Sequence, residues 1–222
     1  MRKDISAIVL WGALWGIAEA TVGYVLHMIT FRIGWFFWFP IAFFFMNRVY
    51  KDTGKLSSIL YTCSIASAIK LTNLLLPARI DKVINPAVSI LFEGVVVFTA
   101  FKLVEKYEQK VNFRFFGVLA ASMSWKVLYS LYLLTLPSWI VSISPIRSPE
   151  PFLRFLLVES TINALVIYSC LTAAEKITAI DDKGKLWYKL VNNISKVFSE
   201  YAFKPAVSFS LLGCALIIQL AL

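Results

Sequence analysis

Residues Trp11 to His27 read WGALWGIAEATVGYVLH, almost wholly apolar, yet they carry Glu19 and end on the single histidine of the chain. At 100° per residue, Gly12, Gly16, Glu19, Ala20, Gly23 and His27 fall on one helical stripe about 100° wide. Trp11, Trp15, Ala18, Thr21 and Val25 lie elsewhere around the helix. A carboxylate facing lipid costs on the order of 3 kcal/mol or more at mid-bilayer. The stripe must therefore face protein or a wet cavity, which predicts a helical bundle rather than a lone anchor.

The rest of the chain agrees with a membrane setting. Of its 222 residues 59% are hydrophobic, and the mean hydropathy is +0.74. Several apolar runs approach the ~20 residues that cross a bilayer as a helix. They are continuous, not alternating as in a transmembrane β-barrel. The expected fold class is all-α, a polytopic transmembrane helical bundle. The net charge of +9 does not point to nucleic acid, because Lys and Arg gather between spans, where the positive-inside rule places them. Cys63, Cys170 and Cys214 sit inside apolar runs without CxxC or Cys/His spacing, and read as small buried residues. The start, MRKD before an apolar run, resembles a signal peptide. The run is too long and is interrupted by Glu19, so it reads as an uncleaved first span.

Six core spans follow, at about Ile5–Ile29, Trp35–Tyr50, Leu56–Leu76, Ala87–Val104, Phe115–Leu136 and Phe152–Ala174. Arg2 and Lys3, then Arg48, Lys51 and Lys55, then Lys102, Lys106, Lys110 and Arg114 mark the cytoplasmic side. The N-terminus is thus expected in the cytoplasm and the protein in the cell (plasma) membrane. The loops Pro77–Pro86 and Pro137–Pro151 are expected outside. The second, PSWIVSISPIRSPEP, reads as ordered turns or a lid. Three regions result: residues 1–174 as the six-span bundle, 175–204 as an amphipathic interfacial helix on the cytoplasmic side, and 205–222 as a C-terminal transmembrane segment. In 175–204, Trp187, Leu190, Val191, Ile194, Val197, Phe198 and Tyr201 recur at helical spacing, with lysines on other faces.

A weak internal repeat draws attention to four ionisable residues. Lys70, Pro77, a loop, Pro86 and Glu93 recur in order as Lys126, Pro137, a loop, Pro151 and Glu159. Prolines commonly end spans, but membrane helices rarely carry charge at such depth. If Pro86 opens its span, Glu93 lies about 10 Å along the helix, in the outer third. Ser67, Lys70 and Asn73 share a face, as do Ser122, Lys126, Tyr129 and Ser130, and Glu159 and Asn163. The expected substrate pocket is therefore lined by Glu19, Lys70, Asn73, Glu93, Lys126, Tyr129, Glu159 and Asn163. The competing reading takes Lys70–Glu93 and Lys126–Glu159 as ion pairs that hold helices together.

Enzyme chemistry finds little support. One histidine leaves no His-rich metal site and argues against a Ser-His-Asp hydrolase, since His27 is expected at the outer membrane boundary, and no HExxH, GxSxG, P-loop or GxGxxG occurs. No metal, cofactor or ATPase activity is expected. A Ser-Lys dyad of Lys126 with Ser122 or Ser130 is the one nucleophilic route available, and an enzyme acting on lipid ranks last.

A small six-span bundle, basic inside, polar in its outer half and without nucleotide motifs, resembles the S-components, the substrate-binding membrane subunits of energy-coupling factor vitamin transporters. The resemblance implies that small residues at four-residue spacing on the first helix dock on a transmembrane scaffold subunit served by ATPases. Gly12, Gly16 and Ala20 stand at that spacing. It also implies an outward pocket capped by external loops. The chain differs in its C-terminal extension beyond six spans.

The expectation is a membrane solute-binding or transport protein that takes a small polar or zwitterionic metabolite. Its carboxylates would meet amines, its lysines anions, and Trp35 and Trp139 would offer faces for stacking. Two alternatives stand beside it: a stand-alone carrier coupled to protons through Glu93 or Glu159, and a non-transporting scaffold or assembly factor whose buried charges are structural.

Overall fold

The computed structural model describes residues 2–28, 34–77, 79–107, 111–179 and 202–221, and these are almost entirely helical, with no strand among them. Six long helices run back and forth: α1 (Arg2–Met28), α2 (Gly34–Thr53), α3 (Ser57–Leu71), α4 (Ile80–Tyr107), α5 (Val111–Leu134) and α8 (Glu159–Ala179). A 3-10 turn, Thr72–Leu75, extends α3. Between α5 and α8 come two short helices, α6 (Ser138–Val141) and α7 (Pro149–Leu153), and a 3-10 turn at Pro145–Arg147. The last helix is α9 (Pro205–Ala221).

Local chemistry sets several boundaries. Gly54 adopts φ +65°, and its N–H reaches the Tyr50 carbonyl at 2.8 Å, closing α2 by a left-handed cap. Thr53 Oγ1 donates to the Val49 carbonyl at 2.7 Å in the same turn. Between α5 and α8, Pro137, Pro145 and Pro149 each stand at the start of a short helical piece, where a missing N–H costs little. The Pro137–Pro151 segment is thus built of turns and two short α-helices.

Two boundaries differ from the sequence reading. The segment Pro77–Pro86 is not all loop, because α4 starts at Ile80 and carries Pro86 inside it. Proline interrupts only one backbone bond, and near a helix start that loss is easily absorbed. Glu93 consequently lies at the middle of the 28-residue α4 rather than in an outer third. Likewise the last core helix is entered early: α7, a π-helical turn at Arg154–Val158 and α8 are continuous. Of the cysteines, Cys63 is buried but Cys170 and Cys214 are exposed on the bundle's surface.

Among the described residues five helices are long and apolar enough to cross a membrane: Lys3–Val22, Ser57–Leu75, Ile80–Lys106, Phe115–Leu134 and Pro149–Lys176. The helix α2 falls outside that set, since its tryptophans, Pro40 and Asn47–Arg48 dilute the apolar run. The 17-residue α9 is apolar but shorter. The expected amphipathic helix of 175–204 lies mostly outside the described residues; its first residues, 175–179, continue α8.

Packing centres on aromatic side chains. Trp15 stacks on Phe45 at 6.0 Å, and Phe39 on Trp125 at 5.9 Å, joining α1, α2 and α5. A second cluster joins Ala13 of α1, Ile69 of α3 and Ala215 of α9, and α9 lies along α1. Gly12 and Gly16 let α1 approach α3. A Cβ at Gly12 would sit 2.7 Å from Ile65 Cγ2, and one at Gly16 2.7 Å from Ile69 Cδ1.

Polar ties gather at the two ends. Where α1 starts, Lys55 Nζ meets Asp4 Oδ2 at 2.6 Å, Trp11 Nε1 donates to Asp52 at 2.7 Å, and the Tyr50 hydroxyl donates to Glu105 at 2.5 Å. These fasten α1, α2, the turn between α2 and α3, and α4 together. At the opposite end, Tyr132 of α5 donates to Asn85 of α4 at 3.1 Å, and the Arg79 guanidinium lies 5.8 Å from the Trp139 ring.

Candidate functional site

Lys126 occupies the centre of the site. It stands in the second half of α5 on the face that also carries Ser122, Trp125 and Tyr129, and it is 0% exposed. Its ammonium donates to the Phe155 carbonyl at 2.8 Å and pairs with Glu159 Oε2 at 3.7 Å. The Phe155 ring lies 4.8 Å from the same ammonium and the Trp125 ring 5.7 Å, both within cation–π range. The acceptor Phe155 lies within the π-helical turn. Such turns redirect backbone carbonyls and recur at functional sites.

Above this pair is a cavity of about 310 Å³. It is bounded by Ile143, Ser144, Pro145 and Arg147 of the capping turns, Glu150 and Pro151 of α7, Arg154 and Phe155 of the π turn, and Glu159. Arg147, Glu150 and Arg154 are exposed at its mouth, and Phe155 and Glu159 are buried at its floor. The three mouth charges form no ion pair with one another among the described residues. Arg154 lies in electrostatic range of Glu159.

The expected pocket residues divide into groups. Lys126, Tyr129, Glu159 and Asn163 meet between α5 and α8. Tyr129 packs its ring on Trp125 at 6.2 Å and on Phe155 at 6.5 Å. Of the eight, Glu159 alone lines the described cavity. Glu19 and Lys70 face each other electrostatically between α1 and α3, and Glu19 accepts from Trp15 Nε1 at 3.4 Å. Asn73 follows in the 3-10 turn, its Oδ1 buried without a hydrogen-bond partner. Glu93, 4% exposed, lies between the groups, in range of both Glu19 and Lys126. The charges thus form a row across the bundle, not one lined pocket. Of the two expected ion pairs, Lys126–Glu159 is present, while Lys70 lies in range of Glu19 in place of pairing with Glu93.

Gly12, Gly16 and Ala20 are buried within the chain, the two glycines against Ile65 and Ile69 of α3. Their close approach is taken up intramolecularly. The side chains of His27 and Trp35 lie outside the described residues; Trp139 is exposed beside Arg79.

Sequence reasoning passed over Arg147, Glu150 and Arg154. One signal was present: the positive-inside rule accounts for basic residues on one side only, and it leaves these two arginines on the expected outer side unexplained. Among described residues no cluster of His, Cys, Asp and Glu has the makings of a metal site.

Compared with family models, curated proteins and solved structures, the chain has no match. The functional reading therefore rests on the chain's own geometry.

Proposed function

We propose that this protein is an integral membrane solute-binding protein that captures a small zwitterionic metabolite from the outer side. The observation that carries this reading is the cavity of about 310 Å³ beneath the proline-rich turns, with unpaired Arg147, Glu150 and Arg154 at its mouth and Glu159 at its floor. Its volume is at the lower end of the ~300–1,000 Å³ usual for small-molecule sites. Guanidinium groups suit a carboxylate bidentately, and Glu150 and Glu159 suit an ammonium. Two opposite charges within one small cavity favour a molecule that carries both. Location in the plasma membrane, with the N-terminus in the cytoplasm, follows from loop charge and puts the cavity outside.

The outward-capture half of the S-component plan fits this reading. Its docking half is not carried over through Gly12 and Gly16, which α3 already fills. Any scaffold–ATPase partner would meet other surfaces.

Calorimetric titration of the purified protein in lipid nanodiscs tests the reading. L-Amino acids are expected to bind, and acetate and methylammonium, each half of the charge pattern, to bind at least about tenfold more weakly. Arg154→Ala and Arg147→Ala should each weaken amino-acid binding. Absence of binding across the amino acids, or affinities unchanged in both variants, would overturn it.

A further inference from the structure

Below the cavity floor, the helices α5 and α8 carry buried polar atoms that have no hydrogen-bond partner among the described residues. Ser122 Oγ, Trp125 Nε1, Ser160 Oγ and both amide atoms of Asn163 are buried without a hydrogen-bond partner. Ser122, Ser160 and Asn163 are 0% exposed. Leaving such groups unpaired costs about 1–3 kcal/mol each, so a cluster of them is not neutral.

Hydroxyls on α3, α4 and α8 provide a comparison, Thr62 of α3 being the other buried one without a partner among the described residues. Ser64, Thr99, Thr161 and Thr172 each donate to the carbonyl four residues earlier at 2.8–2.9 Å. That bond is available to almost any helical serine. Ser122 and Ser160 do not make it. Their oxygens are left without a partner on the two helices that carry Lys126, Glu159 and Asn163.

The charge state of this seam narrows what it accepts. The Lys126 ammonium and Glu159 carboxylate face each other, so the seam is electrically balanced. A further charge placed there would be unpaired at low dielectric, which is expensive. The free valences are mixed: the Trp125 indole donates only, the serines do both, and Asn163 presents one acceptor and two donors. The matching group is uncharged and carries donors and acceptors together, as a carboxamide or ureido group does. Asn163 lies one helical turn below Glu159, about 6 Å along α8.

We propose that the solute side chain reaches past Glu159 into this seam, and that Asn163, with Ser122, Ser160 and Trp125, selects an uncharged amide-type terminus. This rests on the capture reading above, with the zwitterion at the cavity and the amide below it. Glutamine and citrulline have that chemistry. Norvaline lacks the amide, and glutamate and lysine bring a charge.

The same nanodisc titration, run with these five amino acids, separates the two readings. L-Glutamine or L-citrulline should bind about 30-fold or more tighter than L-norvaline, L-glutamate or L-lysine, because a site built for hydrogen bonds rejects analogues that leave it unpaired. Asn163→Leu should erase the preference over norvaline while norvaline still binds. The double variant Ser122→Ala/Ser160→Ala breaks no internal hydrogen bond, so it should fold normally and reduce the same preference. Equal affinities for glutamine and norvaline in the unaltered protein would mean that the seam holds ordered water alone, and would overturn this inference while the capture reading stands. A preference that survives in both variants would overturn it equally. No binding by any of the five would overturn both.

Discussion

Lys126 is a basic side chain with no exposed surface in the interior of an apolar helix long enough to cross a membrane, and its neighbours explain how it is tolerated. One carbonyl at 2.8 Å, one carboxylate at 3.7 Å and two aromatic faces stand in for water. Removing one partner of such a pair leaves the other buried and uncompensated, at about 3–5 kcal/mol. Lys126→Met is therefore expected to lower the thermal midpoint markedly, and Lys126→Met combined with Glu159→Leu to recover much of the loss. Thermal melts of the three proteins in one detergent check this. With Glu159→Leu measured singly as well, a double variant destabilised by the sum of the two single losses would show that the pair carries no coupling. Lys126, Glu159 and Asn163 were legible in the sequence because ionisable and amide groups are rare within apolar runs. Arg147 was not, since a charge on a loop looks solvated until the loop is seen to fold over a cavity, and Arg154, near the start of its span, reads as an interfacial charge.

At the scale of the element, glycine and proline carried different amounts of information. The stripe of Gly12 and Gly16 correctly called for a close helix neighbour, but sequence does not say whose helix answers, and the answer is α3. Gly16→Ala would place a Cβ 2.7 Å from Ile69 Cδ1 and 3.2 Å from its Cβ. Overpacking of that kind costs typically about 1–3 kcal/mol, so Gly16→Ala should lower the thermal midpoint, and Ile69→Val or Ile69→Ala in the same chain should restore part of it. A neutral Gly16→Ala would mean that α1 and α3 slide apart freely. Pro86 misled as a helix start because proline near a helix N-terminus is compatible with helix on both sides of it. The π turn had no sequence signal at all. It depends on how α7 enters α8, and with it came the Phe155 carbonyl that holds Lys126.

For the whole molecule, continuous apolar runs made the all-helical class legible from composition alone. The number of crossings was less so, because α2 and α9 lie near the limits of apolarity and length. Orientation is open to direct measurement. After Cys170 and Cys214 are replaced by serine, Ser142→Cys beside the cavity and Lys51→Cys at the other end report on the two sides. In right-side-out vesicles an impermeant maleimide should label Ser142→Cys at once and Lys51→Cys only after permeabilisation. The reverse pattern would place the cavity in the cytoplasm. The ties at the two ends give this axis a further property. Two of the three bonds at the base have a charged acceptor and a neutral donor, the third joins two charges, and charge-assisted bonds are roughly twice as strong as neutral ones. Towards the rim the ties between helices are the neutral Tyr132–Asn85 and Ser67–Ala87 hydrogen bonds and the Arg79–Trp139 cation–π contact, while the Arg79–Asp81 ion pair at 2.8 Å lies within one segment. The rim is therefore expected to loosen before the base when the bundle is destabilised, and amide hydrogen exchange should be faster around Tyr132 than around Tyr50.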